Sequence, residues 1–89
     1  MRAEAIDAEA EVLEAVRRIF AEELQRLGPV DPAHELLADL QLDSVQLLTL
    51  VVGLENRFEV ALAEEDAGEV RTVGDLVRLV AQRRAEFGT

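Results

Sequence analysis

The sequence predicts an all-α fold, a small antiparallel helical bundle of three main helices plus one short helix, with a long first loop. Three observations carry this prediction. Apolar residues recur at helical spacing in three stretches, no run of four or more residues alternates like a β-strand, and turn or capping residues separate the stretches. At 89 residues the chain supports one modest core, so we expect a single domain over residues 1–89.

The first predicted helix covers residues 3–27. This stretch is rich in Ala, Glu, Leu and Arg, which favour helices, and its apolar residues recur at spacings of three, four or seven. They are Ile6, Leu13, Val16, Phe20, Leu24 and Leu27. Gly28 accepts a left-handed conformation and Pro29 cannot continue the hydrogen-bond ladder, so we expect the helix to stop there.

Residues 28–43 form an unusually long connection, since roughly 2–8 residues is typical between helices of a small bundle. Asp31 followed by Pro32 is typical of a helix start, which predicts a short helical turn through about Leu37. We expect the four leucines of the segment to hold it against the core: Leu36, Leu37, Leu40 and Leu42.

A second helix is predicted over residues 44–57, and its apolar residues divide between two opposite sides. One side carries Leu47, Leu50, Val51, Leu54 and Phe58. The other carries Val45, Leu48 and Val52, with the polar residues Gln46, Thr49 and Asn56 on or near it. Only one side can face the core of so small a domain. We therefore expect the second side to contact another local element or to be exposed for a partner.

The remaining elements are a short helix over residues 63–68 and a last helix over residues 73–84. The short helix lies in an acidic segment bounded by Gly68. Before the last helix, Thr72-Val-Gly-Asp75 resembles a capping box with Asp in place of Glu. Apolar residues then repeat at helical spacing at Val73, Leu76, Val77 and Val80.

The net charge of −10, from nineteen acidic residues and nine arginines, argues against nucleic acid or an anionic membrane as a partner. It favours protein partners with basic surfaces. The chain has no cysteine, so neither a disulfide nor a thiolate metal site is possible, and we expect no metal site. The charged N-terminal residues and the absence of a long apolar run predict a soluble, cytoplasmic protein. We also expect a monomer.

Ser44 is the most informative candidate residue, and three interpretations of it compete. It could cap the second helix, because Ser or Asp often precedes an apolar helical run. It could be a nucleophile with His34, the only histidine, as its base. It could also be a site of covalent attachment, since a helix N-terminus stabilises a phosphate group.

The segment Asp39-Leu-Gln-Leu-Asp-Ser-Val45, followed by Leu50, Leu54-Glu55 and Phe58-Glu-Val60, resembles the phosphopantetheine-attachment region of acyl carrier proteins. The resemblance extends over nearly the whole chain, and it implies a carrier rather than an enzyme. Ser44 would receive 4′-phosphopantetheine from coenzyme A through a phosphopantetheinyl transferase, which Asp43 would help to engage. Acyl groups would then be held as thioesters on the arm.

The resemblance also implies the partners. These are acyltransferase, ketosynthase or other biosynthetic enzymes with basic docking surfaces. Val45, Leu48 and Val52 match positions that touch such enzymes, and we assign Gln46, Thr49 and Asn56 to the same partner-binding set.

The sequence also departs from the family pattern. Gln41 stands where these proteins often have Gly, while Gln46, Thr49 and Asn56 stand where carriers of fatty-acid synthesis commonly have acids. We therefore favour polyketide or other specialised biosynthesis over a housekeeping fatty-acid role. The alternatives are a peptidyl or aminoacyl carrier, and a helical interaction module that carries nothing.

Overall fold

The computed structural model describes the backbone of residues 3–88 and the side chains of residues 8–86, except those at 64 and 67. Within these bounds the chain forms α1 (Ala3–Glu22), α2 (Ser44–Phe58), α3 (Glu64–Ala67) and α4 (Val73–Gly88). Residues 3–88 contain no β-strand, only an isolated bridge between Glu35 and Thr72. The predicted all-α fold is confirmed. No helix in the described residues is both long and apolar enough to span a membrane.

Helices α1, α2 and α4 enclose an aliphatic core with a single fully buried aromatic ring among the described side chains. The most deeply buried side chains come from all three helices: Val12, Val16, Phe20, Leu50, Leu54, Val73 and Val80. Burying a side chain of this kind contributes about 1.5–3 kcal/mol relative to leaving it in water. The predicted apolar repeats of α2 and α4 therefore identify their buried sides. That of the first helix is only partly right, because Val12 and Ile19, which it omitted, are buried and Leu13 is half-buried, while the side chain of Ile6 lies outside the described residues.

Helices α1 and α2 run antiparallel and approach each other closely at Gly53. A Cβ atom added at Gly53 would lie 2.9 Å from Ile19 Cδ1, so a side chain here would displace Ile19. Nearer the start of α1, Glu11 forms an ion pair with Arg84, whose guanidinium lies 5.1 Å from the centre of the Phe58 ring. Residues early in α1 therefore lie near the end of α2, and residues late in α1 lie near its start.

The predicted end of the first helix at Leu27 is wrong, because α1 ends at Glu22. The Leu24 N–H donates to the Ile19 carbonyl at 3.0 Å and the Arg26 N–H to the Phe20 carbonyl at 2.7 Å, which widens the last turn. Gln25 then adopts a left-handed conformation with φ 54° and turns the chain away. As a result Leu27 is 85% exposed rather than part of the core.

No helix forms in the connection between α1 and α2, so the turn predicted from Asp31 and Pro32 is not helical. The Asp31 carboxylate instead accepts a hydrogen bond from the Ala33 N–H at 2.9 Å, which closes a local side-chain turn. Of the four leucines, Leu36, Leu40 and Leu42 are buried as expected. The expectation for Leu37 is wrong, since that side chain is 64% exposed.

The long connection is tied to the start of α4 by backbone hydrogen bonds. Leu36 N–H donates to the Arg71 carbonyl at 2.9 Å, and Val73 N–H donates to the His34 carbonyl at 2.9 Å. Gly74 N–H donates to the Pro32 carbonyl at 2.8 Å. These bonds satisfy polar groups that the connection would otherwise leave unpaired beside the core.

The capping box before α4 is present. Thr72 Oγ1 accepts from the Asp75 N–H at 3.0 Å, and Asp75 Oδ2 accepts from the Thr72 and Arg71 N–H groups, each at 3.1 Å. The hydrogen bond from the Thr72 N–H, followed by that from the Arg71 N–H, lowers the pKa of Asp75 from its ordinary value of 3.8.

The two last helices differ slightly from their predicted bounds. Helix α3 is Glu64–Ala67 rather than 63–68, and α4 continues to Gly88 rather than ending at 84. The extension of α4 has a physical cause, because Arg84 pairs with Glu11 of α1 and stacks on Phe58 of α2. These contacts hold the helix past the point where its apolar repeat ends.

Candidate functional site

Asp43, and not Ser44, caps helix α2. Asp43 has extended backbone angles, φ −85° and ψ 177°, and its Oδ1 accepts a hydrogen bond from the Gln46 N–H at 2.7 Å. The Gln46 side chain completes a capping box, since its Oε1 accepts from the Asp43 N–H at 3.2 Å. The interpretation of Ser44 as the cap is therefore wrong, and the serine occupies the first position of the helix.

The Ser44 hydroxyl is exposed and makes no hydrogen bond within the described part of the chain. Other hydroxyls of this part are engaged. Thr49 Oγ1 donates to the Val45 carbonyl at 3.0 Å, and Thr72 Oγ1 accepts the Asp75 N–H. Ser44 is also the only serine of the 89 residues. A helix N-terminus carries a partial positive charge and unpaired N–H groups, so a phosphate joined to this hydroxyl would be stabilised there.

The interpretation of Ser44 as a nucleophile lacks its geometry. His34 Nδ1 accepts a hydrogen bond from the Asp31 N–H at 3.0 Å, and the ring is half-buried in the long connection. In the described residues no hydrogen bond joins His34 to Ser44, and a serine nucleophile requires an adjacent base. The imidazole supports a turn of the connection.

Ser44 lies on the rim of an apolar groove between α2 and α4, about 360 Å³ in volume. The lining residues of α2 extend from Ser44 in the first turn to Glu55 in the last, so the groove follows most of the helix. Aliphatic side chains from α2, from the segments around α3 and from α4 form its walls, among them Leu47, Val51, Leu62, Val70 and Leu79. We call this the α2–α4 groove. It can hold a flexible apolar group.

Glu55 fixes one wall of the α2–α4 groove. Its Oε2 accepts a hydrogen bond from the Leu62 N–H at 2.9 Å, which holds the segment before α3 against α2. This groove was not expected from the sequence. The available signal was a number of aliphatic residues larger than a small core needs, and the structure leaves Leu47, Val51, Leu62 and Leu79 half-buried along the groove.

The second side of α2 is exposed, which agrees with the two-sided pattern of the sequence. Val45 is 70% exposed, Leu48 62% and Val52 40%. Asn56 is exposed and Thr49 half-buried on the same side, and together these five residues line a second groove, between α2 and α1. Gln46 is the exception among the predicted partner-binding residues, since its side chain belongs to the cap of α2.

The charge around Ser44 is negative. Asp39 and Asp43 precede the serine in the chain, and both side chains are exposed. Asp39 Oδ2 accepts the Glu35 N–H at 2.8 Å, which closes the turn leading to Leu40. Both carboxylates are therefore held in place by backbone N–H groups. A partner that approaches Ser44 meets a fixed acidic rim, which favours basic residues on that partner.

Comparison with known proteins gives a family match and close structural similarity. The family model described as "Phosphopantetheine attachment site" matches residues 14–80. The crystal structure of an acyl carrier protein from Thermotoga maritima superposes with a TM-score of 0.80 at 23% identity, over 90% of this chain and 94% of that one.

Two further structures agree with this match. A proposed acyl carrier protein from Mycobacterium tuberculosis has a TM-score of 0.69 at 31% identity, over 84% of this chain and 96% of that one. The solution structure of holo acyl carrier protein from Geobacter metallireducens has a TM-score of 0.74 at 23% identity, over 85% of this chain and 88% of that one.

The family match covers well over half of the chain, and it includes the helix that Ser44 begins. The free hydroxyl at the start of α2 and the groove beside it fit a phosphate-linked arm. The chain therefore belongs to the phosphopantetheine-attachment family, with the fold of an acyl carrier protein, and is a carrier domain for covalent 4′-phosphopantetheine rather than an enzyme.

Proposed function

We propose that this protein is an acyl carrier protein whose 4′-phosphopantetheine is attached to Ser44 and which delivers acyl groups to biosynthetic enzymes. One observation carries the assignment of the residue. Ser44 is the chain's only serine, and its exposed hydroxyl is free because Asp43 caps the helix in its place. When bound, the group supplies a thiol on a flexible arm, where acyl cargo is held as a thioester.

The residues around Ser44 have different roles in making its hydroxyl accessible to the transferase. Asp43 and Gln46 fix the first turn of α2, so the serine has a defined position. The Asp43 carboxylate is directed at the Gln46 N–H, and it also adds negative charge beside the serine for the basic residues of the transferase. The N-terminus of α2 stabilises the phosphodiester once it has formed.

The α2–α4 groove receives the acyl chain between deliveries. Its rim includes Ser44 and its walls are almost entirely aliphatic, which supports this role. Each methylene moved from water into such a groove contributes about 0.8 kcal/mol. Retention of the cargo therefore increases with chain length, and the thioester of a retained chain is shielded from water.

The exposed side of α2 supports a role in polyketide or other specialised biosynthesis. It has apolar Val45, Leu48 and Val52, and it carries Thr49 and Asn56 where the resemblance to fatty-acid carriers predicts acids. Short-range fit on this side therefore depends more on apolar contact than on negative charge.

The test is loading by a transferase. The purified protein is incubated with coenzyme A and a broad-specificity phosphopantetheinyl transferase, and the intact mass is measured. We expect the mass of one phosphopantetheine group to be added to the wild type and to the control Thr49→Ala, which lacks a hydroxyl further along the same helix. The variant Ser44→Ala should gain nothing. Modification of Ser44→Ala, or loading by none of several transferases, contradicts the proposal.

A further inference from the structure

We infer that the groove between α1 and α2 docks an amphipathic helix of a partner enzyme in one orientation, with acidic residues of that helix at Arg18 and Arg57. The inference rests on the proposed function, because the partner is one of the enzymes that the carrier serves. It concerns the groove between α1 and α2, whereas Ser44 borders the α2–α4 groove; Leu48 and Val52 lie between the two grooves and line both.

The α1–α2 groove has the shape and chemistry that a helix requires. It is open, with a volume of about 600 Å³, and one wall is the exposed side of α2 with Val45, Leu48 and Val52. Gly53 and Ile19 lie where the two helices meet and keep the floor apolar. An exposed apolar wall between two helices is the kind of surface that binds the apolar face of a third helix.

The charges along this groove are sorted by sign. Because α1 and α2 are antiparallel, Arg18 lies toward the end of the groove formed by Asn56 and Arg57. Glu22, the last residue of α1, and Glu23, just beyond it, lie toward Val45 and the Ser44 end. All four charged side chains are exposed. The groove is therefore acidic at the Ser44 end and basic at the other end.

Neither arginine has a side-chain partner within the described residues, a property that they share with Arg71, which lies outside the groove. Arg78, Arg83 and Arg84 each form an ion pair, while Arg17 and Arg26 donate to backbone carbonyl groups. Arg18 and Arg57 do neither. In a chain of net charge −10, two arginines without carboxylate partners at the same end of this groove offer binding positions for the carboxylates of a partner.

This arrangement of charges predicts how acidic and basic residues are distributed along the partner helix, which the net charge of the chain alone does not. A uniformly basic helix would meet like charge at Arg18 and Arg57, whereas a helix with bases toward Ser44 and acids at its other end would meet opposite charge throughout. Such a pattern fixes register and orientation more than it adds affinity. It would direct the partner's basic end, and the active site beyond it, toward the arm.

The test uses a synthetic amphipathic helical peptide with a leucine stripe, two glutamates at one end and two lysines at the other. A nitroxide label is placed at the glutamate end, and the full chain is titrated while its amide NMR signals are followed. We expect the label to broaden the signals of Asn56 and Arg57 more than those of Val45 and Thr49. We also expect Arg57→Glu to weaken binding about fivefold, as the loss of one exposed ion pair and its reversal would do.

Arg71→Glu is the matched control, since Arg71 is exposed, has no ion pair in the described residues and lies outside the groove. It changes the net charge equally and should leave binding nearly unchanged. Equal weakening by both variants, stronger broadening at Val45, or no binding of the peptide would overturn the inference. None of these outcomes affects loading at Ser44, so the proposed function is tested separately.

Discussion

Replacing Asp43 with alanine separates the structural role of the Asp43–Ser44 pair from its proposed chemical role. The change removes the 2.7 Å hydrogen bond from the Gln46 N–H to the Asp43 carboxylate. The 3.2 Å hydrogen bond from the N–H of residue 43 to Gln46 Oε1 then loses the partner bond that completes the capping box. Loss of a helix cap costs about 0.5–2 kcal/mol, typically about 1 kcal/mol. For a domain of this size, about 1 kcal/mol lowers Tm by roughly 4–8 °C.

Ser44→Ala should behave differently, because the lost hydroxyl makes no hydrogen bond in the described structure and alanine favours the helix. We expect its free energy of unfolding to stay within about 0.5 kcal/mol of wild type. Urea and thermal unfolding followed by circular dichroism measure both variants in the apo form. Asp43→Asn is the control, since asparagine caps as well as aspartate and should keep the stability.

The control Asp43→Asn also tests the role of the carboxylate in loading. It removes the charge and keeps the cap, so a lower rate of loading by the transferase with unchanged stability would assign the Asp43 carboxylate to transferase recognition. The division of roles would be refuted if Ser44→Ala destabilised the protein as much as Asp43→Ala, because the serine would then support the fold.

Three further predictions concern the core, the last helix and the α2–α4 groove. Leu50→Ala, at a fully buried position, should cost about 2–5 kcal/mol, while Leu48→Ala, 62% exposed in the same helix, should change stability by less than about 0.5 kcal/mol in denaturant unfolding. The lowered pKa of Asp75 means that its ionised form stabilises the fold above pH 3.8 and that this contribution disappears as pH falls through the folded-state pKa. Asp75→Asn should therefore be less stable than wild type at neutral pH, with a difference that shrinks in acid; a difference independent of pH would contradict this. Protein loaded with an octanoyl arm should melt at a higher temperature than protein loaded with an acetyl arm, because more methylenes enter the groove, and equal Tm values would argue against it.

The fold was predictable where apolar periodicity and capping residues agree. Leu50 and Leu54 recur at helical spacing on one side of α2, and both are buried. Thr72 and Asp75 have the spacing of a capping box, and the box is formed. These features depend on interactions over three or four residues, which a single sequence displays directly.

The errors lie where contacts distant in sequence decide the outcome. Helix α1 ends at Glu22 because the chain turns at Gln25, and Arg26 then donates to the Leu40 carbonyl, which no local pattern indicates. Leu37 is as apolar as a core residue, yet it is exposed, because the turns of the connection direct Leu36 and Leu40 into the core instead. Tertiary contacts here override local propensity.

The candidate site shows the same division. Ser44 and the exposed side of α2 could be singled out from the sequence, because a residue at a helix start and a second apolar stripe are local patterns. The sequence could not decide whether Asp43 or Ser44 is the cap, since both residue types cap helices. The α2–α4 groove needs the positions of α3 and α4, which only the folded chain supplies.

The most direct test of the central claim is to locate the added group within the loaded protein. Because the chain has no lysine, trypsin releases a peptide that runs from Leu27 to Arg57 and contains both Ser44 and Thr49. Fragmentation of this peptide distinguishes the two hydroxyls. The account predicts that phosphopantetheine is found on Ser44 and not on Thr49, and a group found on Thr49, or on no residue of this peptide, would contradict it.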